Sequence, residues 1–104
     1  MTEMSSRGTL ATAKAYTTDE TTIMSFVCSH TCKRGVVFYL YATTAGSAKI
    51  YYIDQSDNER LMSTTSVSAT DLTVVSFDFP ISKVKLTYEG TASGGTIEAE
   101  GRGH

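Results

Sequence analysis

The sequence predicts an all-β domain, an antiparallel β-sandwich or jelly roll of about seven to eight short strands. Three observations carry this. β-Branched and aromatic residues alternate with Thr, Ser or Lys along most of the chain, whose 104 residues include seventeen threonines and twelve serines. Runs of Ala, Leu, Glu and Lys that would build helices are missing. Turn residues cluster at short intervals, at Ala45-Gly46-Ser47, Asp54 to Asn58, Ser68 to Asp71 and Ser93-Gly94-Gly95.

The alternation marks strands at 9–16, 22–29, 35–43, 48–54, 60–67, 72–79, 82–89 and 95–101. In the second, Met24, Phe26 and Cys28 fall on one face and Ile23, Ser25 and Val27 on the other. In the third, Val36, Phe38, Leu40 and Ala42 alternate with Val37, Tyr39, Tyr41 and Thr43. Both faces of that segment are apolar enough to place it centrally in its sheet, with the Tyr face covered. Pro80, the single proline, stands between two apolar strand segments, where a missing N–H and a fixed φ bend the chain or move it between sheets. In the last third, Ser82, Val84, Leu86 and Tyr88 face one way, and Ile97 and Ala99 alternate with Thr96, Glu98 and Glu100. This reads as a closing hairpin, with Lys83 and Lys85 opposite Glu98 and Glu100 for about a few tenths of a kcal/mol per pair. The domain so defined spans 8–101, between a loose arm at 1–7 and a frayed end at 102–104.

Nine Lys and Arg against eleven Asp and Glu give a net charge of −2, spread along the chain, so no face for nucleic acid is expected. The start of the chain has an acid at Glu3 and no apolar run of the signal-peptide kind. The longest apolar run, Val36 to Ala42, is far below the roughly 20 residues of a membrane helix, so a soluble chain made in the cytoplasm is expected, without a membrane partner. A domain of this size buries about 60 to 65 % of its unfolded surface, and self-association would add to that.

Cys28-Ser29-His30-Thr31-Cys32 is the one constellation with metal-like chemistry. Its spacing is tighter than that of a zinc pair and a fourth ligand is missing, so free thiols rank first, a local disulfide second and zinc third. No base stands well placed beside a nucleophile, Gly94-Gly95 leads into a strand instead of a phosphate-binding helix, and Asp54, Asp57, Asn58 and Glu59 lack the calcium-loop spacing and read as solvated turn acids. No catalytic, metal-binding or cofactor-binding residue is therefore assigned. The remaining feature is aromatic: Tyr39, Tyr41, Tyr51 and Tyr52 lie on two consecutive strand segments and are the candidate interaction surface.

Residues Phe77-Asp78-Phe79-Pro80-Ile81 through Thr87-Tyr88-Glu89-Gly90, followed by Ser93-Gly94-Gly95-Thr96-Ile97, resemble the closing hairpin of small all-β virion proteins of tailed bacteriophages. The resemblance covers 72–101. It implies a capsid decoration (cement) protein, trimeric on the shell, with the major capsid protein or another virion protein as partner and the virion surface as its location; a small neck or tail component is a variant of the same idea. The alternative is a carbohydrate- or receptor-binding β-sandwich, with the four tyrosines stacking on the ligand and the 54–59 acids as polar contacts.

Overall fold

The computed structural model describes residues 2–3, 9–27 and 33–104. Among these, nine strands form: β1 (Thr2–Glu3), β2 (Thr9–Ala15), β3 (Thr21–Val27), β4 (Val36–Ala42), β5 (Gly46–Ile53), β6 (Glu59–Val67), β7 (Thr73–Phe77), β8 (Lys83–Gly90) and β9 (Thr96–Gly103). They build a five-stranded sheet of order β1-β3-β8-β5-β6 and a four-stranded sheet of order β2-β9-β4-β7. The short β1 runs parallel to β3, and all other pairings are antiparallel. From β2 onward only β5 and β6 are sequential neighbours in one sheet, and every other connection crosses to the opposite layer. That interleaving is the double Greek key of a jelly roll. The eight segments expected from alternation correspond to β2 through β9, within a few residues at their ends.

The core lies between the layers. Val36, Phe38, Leu40 and Ala42 of β4 are all fully buried and meet Phe26, Ala48, Ile50, Val84 and Leu86 from the other sheet. Phe26 and Phe38 bridge the layers with ring centroids 6.0 Å apart. Each such side chain adds roughly 1.5–3 kcal/mol on burial. Ile23 is buried along with Met24 and Phe26, although alternation puts it on the opposite face; a register shift between Thr22 and Met24 turns the extra residue inward.

Two features differ from the sequence reading. β8 and β9 do not form a hairpin, because the Gly90–Gly95 connection carries the chain from one sheet to the other. Lys83 and Lys85 therefore find Asp57 at 3.3 Å and Glu59 at 2.8 Å, not Glu98 and Glu100. At the C-terminal end, β9 continues to Gly103, and the backbone of His104 donates to Gly35 and accepts from Arg34 and Gly35, so pairing runs past the expected boundary at 101. Pro80 sits in the link from β7 to β8, where the chain changes sheets as its chemistry suggests.

One end of the sandwich is closed by two buried tyrosines. The Tyr16 and Tyr88 rings meet edge to face at 4.6 Å, the Tyr88 hydroxyl donates to the Thr44 carbonyl at 2.8 Å, and the Thr44 amide donates to the Tyr16 hydroxyl at 3.0 Å. Burial pushes the Tyr88 phenol up to about 12. The rings need a floor without side chains. At Gly46, a Cβ would come within 2.3 Å of the Glu89 carbonyl oxygen and 2.7 Å of the Tyr88 ring. Gly46→Ala should therefore lower stability by about 1–3 kcal/mol, read from the urea midpoint at constant m-value; an unchanged midpoint would show that the end can open to admit a methyl group.

Candidate functional site

The two outer faces of the sandwich carry opposite chemistry. On the four-stranded sheet, the burial of alternate β4 residues sends Tyr39 and Tyr41 outward, 36 % and 42 % exposed. Two residues along a strand place the rings roughly 6.6–6.8 Å apart. β4 lies between β9 and β7, so both rings are flanked. Tyr39 stands opposite Glu100 and Val74, and Tyr41 opposite Glu98. Leu72 and Val74, 63 % and 52 % exposed, add an apolar border on the β7 side. Tyr39, Tyr41, Leu72, Glu98, Ala99 and Glu100 line a shallow recess of about 140 Å³. That volume is too small to engulf a ligand, which makes this an open shelf. Arg102 lies 3.4 Å from Glu100 on the same strand and neutralises part of its charge.

The shelf offers ring faces to hydrocarbon, and phenol and carboxylate oxygens to hydroxyl groups. Among the described residues no element covers it, so none of them supplies the expected cover over the Tyr face of β4.

On the five-stranded sheet the polar groups satisfy one another. Glu20 accepts hydrogen bonds from the Tyr51 hydroxyl at 2.5 Å and the Thr87 hydroxyl at 2.8 Å, with the Lys49 ammonium 3.7 Å away. Lys49 also approaches Glu89 at 3.9 Å. Lys85 bonds Glu59 and sits 5.2 Å from the centre of the Tyr51 ring. The hydrogen bond from Tyr51, ahead of those from Thr87 and the nearby lysines, holds the Glu20 carboxyl below its ordinary value. The same bond, with partial burial and the surrounding carboxylates, pushes the Tyr51 phenol up to about 12.

The four candidate tyrosines are thus parted. β4 and β5 are consecutive in sequence but belong to different sheets, so Tyr39 and Tyr41 share one face while Tyr51 lies on the far side of the molecule. Tyr52 stands opposite Val84, which is fully buried, so it faces inward and packs against the core. The acids of the 54–59 turn are occupied. Asp54 accepts from the Ser56 and Asn58 amides, both at 2.9 Å, and pairs with Arg60 at 3.3 Å; these bonds, that from Asn58 foremost, hold its carboxyl below the ordinary range. Cys28, His30 and Cys32 lie outside the described residues, among which no group of three or more His, Cys, Asp or Glu is placed to hold a metal. Glu98 and Glu100, absent from the candidate set, join the shelf because β9 pairs with β4; their outward alternation was visible, their neighbour was not.

No protein family description and no curated protein matches the sequence. Among solved structures, two mutants of family 29 carbohydrate binding modules are similar in fold. One is 16 % identical, with a TM-score of 0.47 over 75 % of this chain and 55 % of that one. The other is 17 % identical, with a TM-score of 0.45 over 76 % of this chain and 61 % of that one. This chain therefore spans little more than half of each. The expected kinship with phage virion proteins, and with it the capsid-decoration role, is corrected: these two structures are carbohydrate binding modules, and no family description matches the sequence. The physical basis of that resemblance also fails, since 72–101 is not a closing hairpin but strands that alternate between two sheets.

The Glu20–Tyr51 bond fixes a pH dependence. A phenol whose pKa is raised in the fold stabilises it fully below the ordinary phenol range and loses that contribution as pH rises through about 12. A depressed carboxyl contributes above its ordinary value and loses its contribution as pH falls through the lowered one. Tyr51→Phe should accordingly flatten both the alkaline decline from about pH 10 to 12 and the acid decline of the urea midpoint. Parallel pH profiles for the two proteins would contradict the bond.

Proposed function

We propose that the protein is a carbohydrate-binding module that lays a polysaccharide chain across the outer face of the four-stranded sheet, with Tyr39 and Tyr41 as the stacking residues. The observation that supports this reading is the register of β4 against β9: each exposed ring has a carboxylate opposite it, Glu100 beside Tyr39 and Glu98 beside Tyr41. A pyranose has the matching two-sided character, with C–H bonds on its flat faces and hydroxyls around its rim. Its faces stack on the rings and its hydroxyls donate to the carboxylates. The openness of the shelf suits a chain that continues in both directions.

The charges narrow the ligand class. Two carboxylates and one guanidinium, itself paired with Glu100, leave the shelf negative. A neutral polysaccharide fits it, and a polyuronate is repelled. Self-association or a protein partner would use the same apolar border, but neither accounts for the acid opposite each ring, because burying the Glu98 carboxylate, which has no partner among the described residues, in such an interface costs several kcal/mol.

Native affinity electrophoresis in gels containing neutral glucans, mannans or xylans, alongside a polyuronate, tests the reading. One neutral polysaccharide should retard the protein. Tyr41→Ala or Tyr39→Ala should weaken binding about tenfold each, as expected for roughly 1.4 kcal/mol lost with a stacking ring. Tyr51→Phe, on the far face, should bind as the wild type does. No retardation by any neutral polysaccharide, or retardation indifferent to both alanine variants, would refute the assignment.

A further inference from the structure

A second recess opens at the edge of the five-stranded sheet. Tyr52, Arg60, Met62, Phe79 and Pro80 line a cleft of about 310 Å³ between the β5–β6 hairpin and the link from β7 to β8. This is at the lower end of the range for small-molecule sites and sufficient for a ligand built on one ring. Tyr52 and Met62 pack against the core and form its floor. Phe79 and Pro80 come from the crossing link, and Phe79 remains 47 % exposed although its ring contacts Phe77 at 5.8 Å.

Arg60 owes its place to a bulge. β5 and β6 pair from Gly46–Val67 to Ile50–Ser63, then shift so that Tyr51 meets Leu61 and Tyr52 meets Arg60, leaving Met62 as the extra residue. The shift reverses the alternation of β6 beyond that point. Leu61 is sent to solvent, 55 % exposed, while Arg60 stands opposite Tyr52 with its side chain 67 % exposed at the mouth of the cleft. Its Nε is held by Asp54 Oδ2 at 3.3 Å. No intramolecular partner of its two terminal amino groups is found among the described residues, and its neighbours Asp57 and Glu59 are engaged by Lys83 and Lys85. The cleft therefore joins an apolar, aromatic slot to an oriented cation with a free pair of donors.

We propose that this cleft is a second ligand site, separate from the Tyr39–Tyr41 shelf, and that it takes a planar aromatic carboxylate. The ring lies against the Tyr52 and Phe79 side chains, the Met62 sulfur and the Pro80 ring. The carboxylate accepts two hydrogen bonds from the terminal amino groups of Arg60, the geometry that guanidinium and carboxylate share.

The test uses the full chain and two probes, 4-hydroxycinnamate and its uncharged methyl ester, followed by 1H–15N chemical shifts. The acid should shift the amides of Arg60, Met62 and Phe79 saturably, and the ester should bind about tenfold more weakly or less. Arg60→Gln should bring the acid down to the affinity of the ester and leave the ester unchanged, and Phe79→Ala should weaken both. Tyr41→Ala should leave both probes unaffected, so loss of polysaccharide binding and loss of aromatic-acid binding are independent results. Equal affinity of the wild-type protein for acid and ester, shifts centred on Tyr39 and Tyr41, or shifts that do not saturate would overturn the proposal. The acid–ester comparison is made on the unmodified protein and needs no variant to fold.

Discussion

The inward face of β4 is the constraint on which the rest of the molecule depends. Val36, Phe38, Leu40 and Ala42 are fully buried, and the strand is hydrogen-bonded on one side to β9 and on the other to β7. A slip of one residue would exchange those four side chains for Val37, Tyr39, Tyr41 and Thr43. At roughly 1.5–3 kcal/mol for each large apolar side chain, such a slip would cost more than the stability of a small domain affords. The outward aim of Tyr39 and Tyr41 is thus set by core burial, and so is the pairing that brings Glu98 and Glu100 to them.

The same residue type meets opposite fates on the two faces. Tyr51 has its hydroxyl bound to Glu20 and an ammonium beside its ring, so both of its binding functions are taken within the chain. The ion pairs around it, from Lys49 to Glu20 and Glu89 and from Lys85 to Glu59, contribute only about 0–1 kcal/mol each, and their larger consequence is to leave the five-stranded face with little to offer a ligand. Tyr39 and Tyr41 have neighbours in register and, among the described residues, no such contacts. What distinguishes a platform from a cladding of tyrosines is therefore the adjacent strand: acids and lysines together close a face, while acids and apolar residues leave it open.

Alternation in the sequence located β2 through β9, because a half-buried strand writes its period of two directly into residue order. It could not assign partners. Lys83 and Lys85 point outward as their positions require, yet the carboxylates they meet belong to the 57–59 turn, which the interleaved topology brings alongside β8. The same interleaving divided the candidate tyrosines: nothing in residues 43–45 marks the step from β4 to the opposite sheet, so two adjacent strand segments looked like neighbours. Half of the shelf was legible as Tyr39 and Tyr41; the other half comes from β9 and β7, more than thirty residues further along the chain.

The bulge at Met62 is a departure from local consistency that core packing alone does not explain. Uninterrupted alternation inward from Ser63 would turn Leu61 inside and Arg60 to water, the arrangement that burial favours. The fold instead exposes Leu61, packs Met62 against the core and sets Arg60 opposite Tyr52, its side chain 67 % exposed and reaching along the sheet edge to Asp54. A charge on an edge strand does hinder edge-to-edge pairing of chains, and β6 is such an edge. Guarding an edge, however, requires only a charge. It does not require that the charge be oriented by Asp54 or set beside a slot walled by Tyr52, Met62, Phe79 and Pro80. These additional features are what recognition of an aromatic anion would demand.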